Sequence, residues 1–331
     1  MALKKDRVST MNRKAIFVAT SHDCAANLAG EAYLIKEDLE HILYLWVNDP
    51  CIVIGRFQNP YSECNLERMD KENVQLVRRN SGGGAVYHDR GNLCFTLIGK
   101  KDYSTKEENF ALLLDALAKL GIKAELSGRN DILSEGKKIS GNAFQTTATK
   151  FCHHGTLLIT SDLSVMANYL TPSSTKLSSK AVKSVVSRVG NLSEVKKDIT
   201  TQEVEDALIE AFCEKYGPTH VTPIDFKQLS EAREDYLMFG DRNLILERTP
   251  QFTHYLHHRF SWGECSLHMD VHKTKITQVR LFTDSLDTSL PERIVKKLEG
   301  LSYAKGTLLD AKRECHEEDV RELLTFLTEQ L

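Results

Sequence analysis

The chain has 331 residues, of which 41% are hydrophobic and 27% are charged, a composition ordinary for a soluble globular protein. Its formal net charge of −3 gives no general reason to expect a nucleic-acid partner. No apolar run reaches the roughly 18 residues that would span a membrane, so no membrane partner is predicted. The eight cysteines contain no Cys-x-x-Cys pair, which predicts neither a zinc ribbon nor a disulfide framework and favours an intracellular setting. The length allows one large domain and a smaller one.

The first 14 residues are basic and polar, with five Lys or Arg residues against one acid. They contain no apolar stretch, so a secretory signal sequence is not predicted. We predict a flexible N-terminal extension over 1–14. A transit peptide and a natural start at Met11 are the alternatives.

Strands and helices alternate after this extension. The pattern predicts strands at 15–20, 41–47 and 51–55, and helices at 24–37, 65–71 and 106–120. On the last of these helices, Leu112, Leu113, Leu117 and Leu120 form an apolar stripe, and Gly121 is placed to end it. No internal repeat is found.

The most informative stretch, 78–96, is built around three consecutive glycines at 82–84. Such a run costs too much backbone entropy for the middle of a helix or strand. Arg78 and Arg79 precede it, and a glycine turn flanked by guanidinium groups suits a phosphate. The stretch is neither a P-loop nor a dinucleotide fingerprint. We predict a nucleotide or phosphate cradle, with a flexible linker as the alternative.

Two short strands are predicted downstream of the glycines, at 85–88 and 93–97. Asp89-Arg90-Gly91-Asn92 has the composition of a tight turn between them. The sequence therefore predicts a β-hairpin at this point.

A second polar stretch, 127–143, carries a candidate lysine. Ser134-Glu135-Gly136 predicts a turn between two strands. Two-residue alternation on the second strand places Lys138, Ser140 and Asn142 on one face. Lys138 is therefore predicted to face a polar pocket, with a solvated surface lysine as the alternative. Lys137 is interpreted as such a surface lysine.

A third stretch, 151–160, contains adjacent histidines. His153 and His154 fall on opposite faces of a predicted strand, so they cannot easily bind one metal ion. They are interpreted as core or pocket-wall residues. Cys152 is interpreted as a buried thiol, with a nucleophile as the alternative.

The stretch 171–191 is rich in Ser and Lys and short of large apolar residues before Val185. It is either an ordinary surface loop or a basic lid that closes over an anionic ligand. We expect mobility without ligand, because so polar a segment buries too little surface to offset an ordering cost of roughly 1–2 kcal/mol per residue. Lys183 and Arg188 are its predicted ligand contacts.

Five motifs now occur in the order found in one known family. They are Arg-Arg-x-Ser-Gly-Gly-Gly-Ala-Val-Tyr-His-Asp-x-Gly-Asn, Gly-Arg-Asn-Asp, Lys-Ile-Ser-Gly-x-Ala, His-His-Gly-Thr-Leu-Leu and Ser-Val-x-Ser-Arg-Val-x-Asn-Leu. With this set the chain resembles the lipoate–protein ligases of the bacterial two-domain type. The resemblance runs from about Ile16 into the C-terminal region and is poor over 222–250.

The resemblance implies an α+β fold in two parts. The larger is a catalytic lipoate- and ATP-binding domain over 15–246, related to biotin-protein ligases, with two mixed sheets and packed helices. The smaller is an α+β accessory domain over 247–331. The implied enzyme is an ATP-dependent ligase that, with Mg²⁺, activates lipoate to lipoyl-AMP, releases pyrophosphate, and transfers the lipoyl group to a specific lysine.

The implied acceptors are the lipoyl domains of acyltransferase subunits of 2-oxoacid dehydrogenase complexes, and the glycine cleavage H protein. The implied location is the bacterial cytoplasm, or the mitochondrial matrix in a eukaryote.

Motif positions also imply the site residues. Lys138 corresponds to the catalytic lysine, which contacts both ATP and lipoate. The implied ATP- or adenylate-binding residues are Arg79, Gly84, Ala85, Val86, Tyr87, Asn130, Asp131, Lys138, Lys183 and Arg188. The implied lipoate-binding residues are Ser81, Gly82, Gly83, His88, Lys138, His154 and Gly155. No metal ligand is assigned.

Three other functions are left open. A biotin-protein ligase shares the implied fold, but its Gly-Arg-Gly-Arg type of loop is replaced here. An octanoyl or lipoyl transferase would use a cysteine thioester without ATP, for which Cys152 is the candidate. A non-catalytic lipoate- or nucleotide-binding protein is the third alternative. Lipoate-dependent exchange of labelled pyrophosphate into ATP separates these functions.

Overall fold

The computed structural model describes residues 13–128, 130–170, 189–247, 254–272 and 275–331. The strands are β1 (Lys14–Ala19), β2 (His41–Val47), β3 (Cys51–Ile54), β4 (Gln75–Arg78), β5 (Val86–His88), β6 (Asn92–Lys100), β7 (Glu125–Ser127), β8 (Asp131–Ser134), β9 (Lys137–Thr146), β10 (Lys150–Leu158), β11 (Val221–Ile224), β12 (His254–Phe260), β13 (Gly263–His272) and β14 (Lys275–Thr283). The helices are α1 (Cys24–Lys36), α2 (Pro60–Glu63), α3 (Leu66–Lys71), α4 (Lys106–Lys119), α5 (Leu163–Tyr169), α6 (Leu192–Val195), α7 (Thr201–Tyr216), α8 (Arg233–Gly240), α9 (Arg242–Glu247), α10 (Leu290–Leu298), α11 (Lys305–Arg313) and α12 (Glu318–Glu329). A 3₁₀ turn at Ser230–Ala232 precedes α8.

Helix starts follow capping residues that are visible in the sequence. Thr105 and Glu108 form a capping box at α4, and Thr200 and Glu203 form another at α7. The side chain of Asp23 caps α1 by accepting from a backbone N–H. The strands predicted at 15–20, 41–47 and 51–55 and the helices predicted at 24–37, 65–71 and 106–120 are confirmed to within one residue at each end.

The main sheet has eight strands in the order β11-β1-β2-β6-β10-β9-β8-β7. β1 runs parallel to both β2 and β11, and β2, β6, β10 and β9 pair antiparallel. One face packs on α4 and α7, where Phe95, Leu113 and Phe212 are buried. The other face packs on α1 and α8, where Leu28 and Phe239 are buried. The central strand β6 is covered on both faces, which explains its unbroken run of buried residues.

A separate three-stranded sheet has the order β4-β3-β5. This arrangement shows that the predicted hairpin was wrong. Both predicted strands exist, but β5 pairs with β3, and β6 pairs with β2 and β10. The turn residues remain locally ordered, because Asp89 Oδ1 accepts from Gly91 N–H at 2.9 Å. Pairing to distant strands separated two segments that are adjacent in sequence.

The C-terminal part is a third sheet, β12-β13-β14, covered by α10, α11 and α12. It lies directly against the glycine-rich loop of the larger part. Gly83 N–H donates to the Ser285 carbonyl at 3.0 Å, and Thr283 N–H donates to the Phe57 carbonyl at 2.8 Å. The division of the chain at 246/247 stays a prediction.

None of the helices that the structure describes is both long and apolar enough to cross a membrane.

Candidate active site

A cavity of about 160 Å³ lies where β5 of the small sheet faces β6, β9 and β10 of the large sheet. The sequence-predicted residues that line it are Arg79, Gly83, Gly84, Ala85, Val86, His88, Asn130, Lys138, His154 and Gly155. Residues as far apart in sequence as Arg79 and Gly155 are therefore brought to one place by the sheet order.

Part of the cavity wall is apolar. Leu28 of α1, Trp46 of β2, Val53 of β3, Cys94 of β6 and Ala143 of β9 all line it. The Trp46 indole N–H is already used, because it donates to Thr96 Oγ1 at 3.3 Å. Such a wall suits a hydrocarbon chain, while the polar residues around it can orient a ligand.

The glycine-rich loop is organised by Arg79. The guanidinium is buried and donates to the carbonyls of Val53, Gly82 and Gly84. Gly83 adopts φ +91°, a conformation that favours glycine. The sequence predicts that Arg79 offers its donors to a phosphate. In the structure these donors hold the carbonyls of the loop that forms the cavity wall.

A buried ionic network lies beneath this loop. Glu31 on α1 accepts from His154 Nδ1 at 2.7 Å and from Thr96 Oγ1 at 2.8 Å. His154 Nε2 lies 2.7 Å from Ser81 Oγ, and Arg79 Nε donates to the same Ser81 Oγ at 3.0 Å. The side chains therefore form a continuous chain from carboxylate to guanidinium.

Burial disfavours the charged form of the groups at both ends of this network, the Glu31 carboxylate and the Arg79 guanidinium. Burial alone would raise the pKa of Glu31, but the pKa is lowered because His154, Thr96 and Arg79 favour the carboxylate more strongly. Burial lowers the pKa of Arg79 to about 10, and Glu31 opposes that change. The network thus holds a charged pair next to the cavity.

Sequence reasoning missed Glu31. The sequence did contain a signal for it, because Glu31 is the one acidic residue of the helix Cys24–Lys36. That helix is buried on nearly all sides. A lone carboxylate in such a helix needs a buried partner.

Lys138 lies at the cavity wall in an ion pair. Its Nζ is 2.7 Å from Asp131 Oδ1, and the two side chains are 34% and 35% exposed. The predicted turn before it is confirmed, with positive φ at Glu135 and Gly136. Asp131 comes from β8, which pairs with β9.

The predicted alternation on β9 was wrong for Lys138. The register shifts by one residue where Ile132 opposes Ser140 and Leu133 opposes Lys138, so a β-bulge lies at Ile139. As a result, the Lys138 side chain lies over Gly141, where an added Cβ would be 3.1 Å from Nζ. Lys138 reaches the cavity by a local irregularity that period-two reasoning does not anticipate.

His153 and His154 do point to opposite sides of β10, as predicted. His153 packs among Phe95, Phe110 and Phe144 in the core, while His154 lines the cavity. Cys152 is 1% exposed, and burial together with Glu31 raises the pKa of its thiol well above the usual range. A buried neutral thiol is a poor nucleophile, which does not favour the thioester alternative.

Among the described residues, two groups of side chains have the spacing of metal ligands. In the first, the ligand atoms of Cys24, Cys51 and His88 lie within 4.8 Å of one another. Burial and the neighbouring Cys51 raise the pKa of the Cys24 thiol, and His88 Nδ1 already faces the Asn48 amide at 2.9 Å.

The second group is Glu31, Cys152 and His154. Glu31 and His154 are bonded to each other. Internal contacts account for both groups, and we assign no metal to either.

The remaining predicted residues lie around the cavity. Ser81 and Asp131 contact lining residues, as described above, and Gly82 packs against Ser285 of the C-terminal part. Tyr87 stacks on Tyr169 with ring centroids 5.7 Å apart. Lys183, Arg188 and the predicted lid over 171–188 lie outside the described residues.

Two family models match the chain. The first, described as the lipoyl protein ligase A/B catalytic domain, matches residues 23–213. The second, described as the bacterial lipoate protein ligase C-terminus, matches residues 249–325. The chain therefore belongs to the lipoyl protein ligase A/B catalytic-domain family, and it is an enzyme of the ligase class. The resemblance, the α+β fold class and the enzyme class predicted from the sequence are confirmed.

Three solved structures illustrate the similarity. LipL1 of P. falciparum, solved with lipoate, is 29% identical over 96% of this chain and 99% of its own, with a TM-score of 0.84. A bipartite lipoate protein ligase of Thermoplasma acidophilum, studied with its E2 lipoyl domain, is 27% identical over 74% of this chain and 100% of its own, with a TM-score of 0.64. Lipoate-protein ligase A bound with ATP is 27% identical over 71% of this chain and 98% of its own, with a TM-score of 0.60.

Proposed function

We propose that this protein is an ATP-dependent lipoate–protein ligase that forms lipoyl-AMP and passes the lipoyl group to a lysine of a partner protein. The observation that carries the proposal is the cavity, which joins apolar walls to Lys138, the one lysine among the described residues that line it. A ligand with a hydrocarbon tail and a carboxylate head would place the tail against the apolar walls and the carboxylate at Lys138. Binding of lipoate and of ATP by similar enzymes supports it.

In the first step the lipoate carboxylate attacks the α-phosphate of ATP, and pyrophosphate leaves. Two anions must approach each other, and a fixed cation offsets their repulsion. Lys138 is suited to bridge the carboxylate and the α-phosphate. Asp131 holds its Nζ at 2.7 Å, so the incoming carboxylate would replace one anionic partner with another.

The nucleotide would lie along the glycine-rich loop. An added Cβ at Gly84 would meet no atom of the described residues within 4 Å, so this part of the structure leaves space for a ligand beside that backbone. Mg²⁺ would enter as part of the MgATP substrate, held mainly by the nucleotide phosphates. Asp131 is the predicted adenylate-binding carboxylate beside Lys138.

In the second step an acceptor lysine attacks the mixed anhydride, forming an amide and releasing AMP and a proton. A lysine with a pKa of about 10.4 is mostly protonated at neutral pH. The reactivity of the anhydride compensates for the scarcity of free amine. Lys138 would stabilise the negative charge that develops on the attacked carbonyl oxygen.

The proposed acceptors are lipoyl domains of 2-oxoacid dehydrogenase acyltransferase subunits and the glycine cleavage H protein. Support for the first comes from the similar archaeal ligase studied with its E2 lipoyl domain.

The test is exchange of labelled pyrophosphate into ATP by the purified protein. We expect exchange that depends on lipoate and is absent with biotin or without an acid. Labelling of a lipoyl domain should then require both ATP and lipoate. Absence of lipoate-dependent exchange in a folded protein would overturn the proposal. Acyl transfer from an octanoyl thioester without ATP would indicate a transferase instead.

A further inference from the structure

A second cavity, of about 320 Å³, lies between the catalytic part of the chain and the C-terminal part. Its walls come from the loop after β3, the end of β4, helices α8 and α9, and strands β9 and β14. Among the described lining residues it shares only Arg79 with the active-site cavity. Small-molecule sites in proteins begin at about 300 Å³, so this cavity is large enough to hold a compact ligand.

The lining of this second cavity is strongly positive. Among the described residues that line it there is no Asp or Glu, but there are four arginines, Arg56, Arg78, Arg79 and Arg280. Glu31 compensates the charge of Arg79, as described above. Arg78 donates to three backbone carbonyls of the loop after β3, which satisfy its hydrogen bonds but carry no net charge to cancel its own. A concave surface with this excess of guanidinium groups favours an anion.

Two of these arginines have donors to offer a ligand. Arg56 has one loose ion pair, with 3.8 Å between its Nη2 and Glu292 Oε1 and side chains that are 44% and 77% exposed. Such an exposed pair contributes little. The exposed Arg280 side chain makes no ion pair or hydrogen bond with the described residues. A phosphate held by both guanidinium groups would therefore connect the catalytic part to the C-terminal part.

Aromatic and sulfur-containing side chains form the apolar walls. Two-residue alternation places Arg280 and Phe282 on the same face of β14. Phe57 is tied to the end of that strand, because Thr283 N–H donates to its carbonyl at 2.8 Å. Met238 of α8 also lines the cavity. Aromatic rings and a thioether suit a flat ring, whereas inorganic phosphate alone would make no use of them.

An unused amide completes the polar lining. Asn80 follows β4 and lines the cavity, and its side chain makes no hydrogen bond to a described residue. A side-chain amide carries a donor and an acceptor side by side, which matches the N6 and N7 edge of adenine. A phosphate group would need donors only. The cavity thus combines groups for a phosphate, a flat ring and the edge of an adenine base.

We propose that this second cavity is a binding site for an adenosine monophosphate. The phosphate lies at Arg56 and Arg280, and the adenine packs on Phe57 and Phe282 with its N6 and N7 edge at Asn80. A volume near the lower limit for small-molecule sites favours the monophosphate over larger nucleotides. The site is separate from the active-site cavity, and the inference does not depend on the proposed ligase reaction.

The test uses Met238 as a reporter in protein labelled with ¹³C at the methionine methyl groups. We expect AMP to shift the Met238 methyl signal in the NMR spectrum, with a Kd below about 1 mM. Adenosine lacks the phosphate and ribose 5-phosphate lacks the base, so each should bind at least about tenfold more weakly. Met238→Leu assigns the signal. Met269, buried in the core of the C-terminal part, should not shift.

Variants of the two arginines test the phosphate contacts. Arg280→Gln and Arg56→Gln each remove one charge-assisted contact from an exposed position, so both should fold and bind AMP about tenfold more weakly. Arg313→Gln is the matched control, because Arg313 is an exposed arginine of the C-terminal part away from the cavity lining. It should bind AMP within about twofold of wild type. Asn80→Ala should weaken AMP binding and leave ribose 5-phosphate binding unchanged.

Three results would overturn the inference. The first is a Met238 signal that does not move at about 10 mM AMP. The second is equal binding of AMP and ribose 5-phosphate, which would indicate a site for phosphate alone. The third is unchanged AMP binding by both arginine variants together with poor lipoyl transfer, which would assign the arginines to docking of an acidic acceptor domain. Loss of lipoate-dependent exchange in the wild type would overturn the proposed function and leave AMP binding at this site as expected.

Discussion

At the scale of single residues, Lys138 lines the cavity and is the proposed catalytic cation. We predict that Lys138→Ala lowers the rate of lipoate adenylation by about 10²–10³, the usual effect of removing one preorganised charge from a transition state. The stability change should be small, since exposed or half-exposed ion pairs contribute at most about 1 kcal/mol. Pyrophosphate exchange and thermal denaturation measure the two quantities.

Lys137→Ala is the matched control for that variant. Lys137 pairs with Glu194 at 2.5 Å on the surface and does not line the cavity. Its removal should change exchange by less than twofold. Activity of Lys138→Ala within threefold of wild type would remove Lys138 from the central role.

Gly83 and Gly84 are expected to have different roles, which measurements of stability and of ATP affinity can separate. Gly83→Val should lower stability, because φ is +91° and an added Cβ would lie 2.8 Å from the Arg79 guanidinium. Gly84→Val should fold normally, because a Cβ there meets no atom of the described part of the chain within 4 Å. It should nevertheless weaken ATP binding at least tenfold if the nucleotide lies against that backbone. Unchanged nucleotide affinity in Gly84→Val would show that the nucleotide lies elsewhere.

At the scale of elements, α1 is tied to the large sheet by a buried charge. Glu31 receives hydrogen bonds from His154 on β10 and Thr96 on β6. We predict that Glu31→Gln lowers the free energy of unfolding by about 3 kcal/mol, because it leaves a buried partner uncompensated. Urea denaturation at neutral pH measures the loss. The exposed Glu234→Gln on α8 is the control and should stay within about 0.5 kcal/mol of wild type.

An effect on ATP kinetics would distinguish the Glu31 network from contacts that only stabilise the fold. Because His154 also contacts Ser81 in the glycine-rich loop, Glu31→Gln should raise the KM for ATP as well as lower stability. Lost stability with unchanged ATP kinetics would mean that the network supports the fold only.

At the scale of the whole molecule, buried neutral histidines make stability depend on pH. The folded pKa of His88 is about 3, against about 6.5 in the unfolded chain, and burial also lowers the pKa of His153. Between those values the unfolded state binds more protons, so stability falls as the pH falls below about 6.5. The expected slope is about 1.4 kcal/mol per pH unit for His88 alone.

Urea denaturation of wild type and His88→Phe between pH 7 and pH 5 tests this expectation. The wild type should lose stability steadily over that range. The variant should lose about 2 kcal/mol less between pH 6.5 and 5, since its position no longer binds a proton in the unfolded state. Parallel curves for the two proteins would show that His88 is not buried as a neutral ring.

The sequence alone determined much of this protein. Hydrophobic periodicity placed most of the strands and helices through residue 120, because this signal is local. It did not predict β4 or α2, which are only four residues long each. The ordered motifs located the glycine-rich loop, Lys138 and the His153–His154 pair, and they indicated the family.

Only the tertiary structure decided what depends on distant pairing. β5 and β6 form no hairpin, because β5 pairs with β3 and β6 pairs with β2 and β10. These pairings join distant parts of the chain, so the local sequence does not indicate them. The bulge at Ile139 turns Lys138 into the cavity, although alternation alone would place it beside Ser140. The sheet order brings Glu31 to His154 and Thr96, and the packing of the C-terminal part brings Ser285 to the glycine-rich loop. Local patterns specify elements, whereas long-range burial chooses which side chains meet.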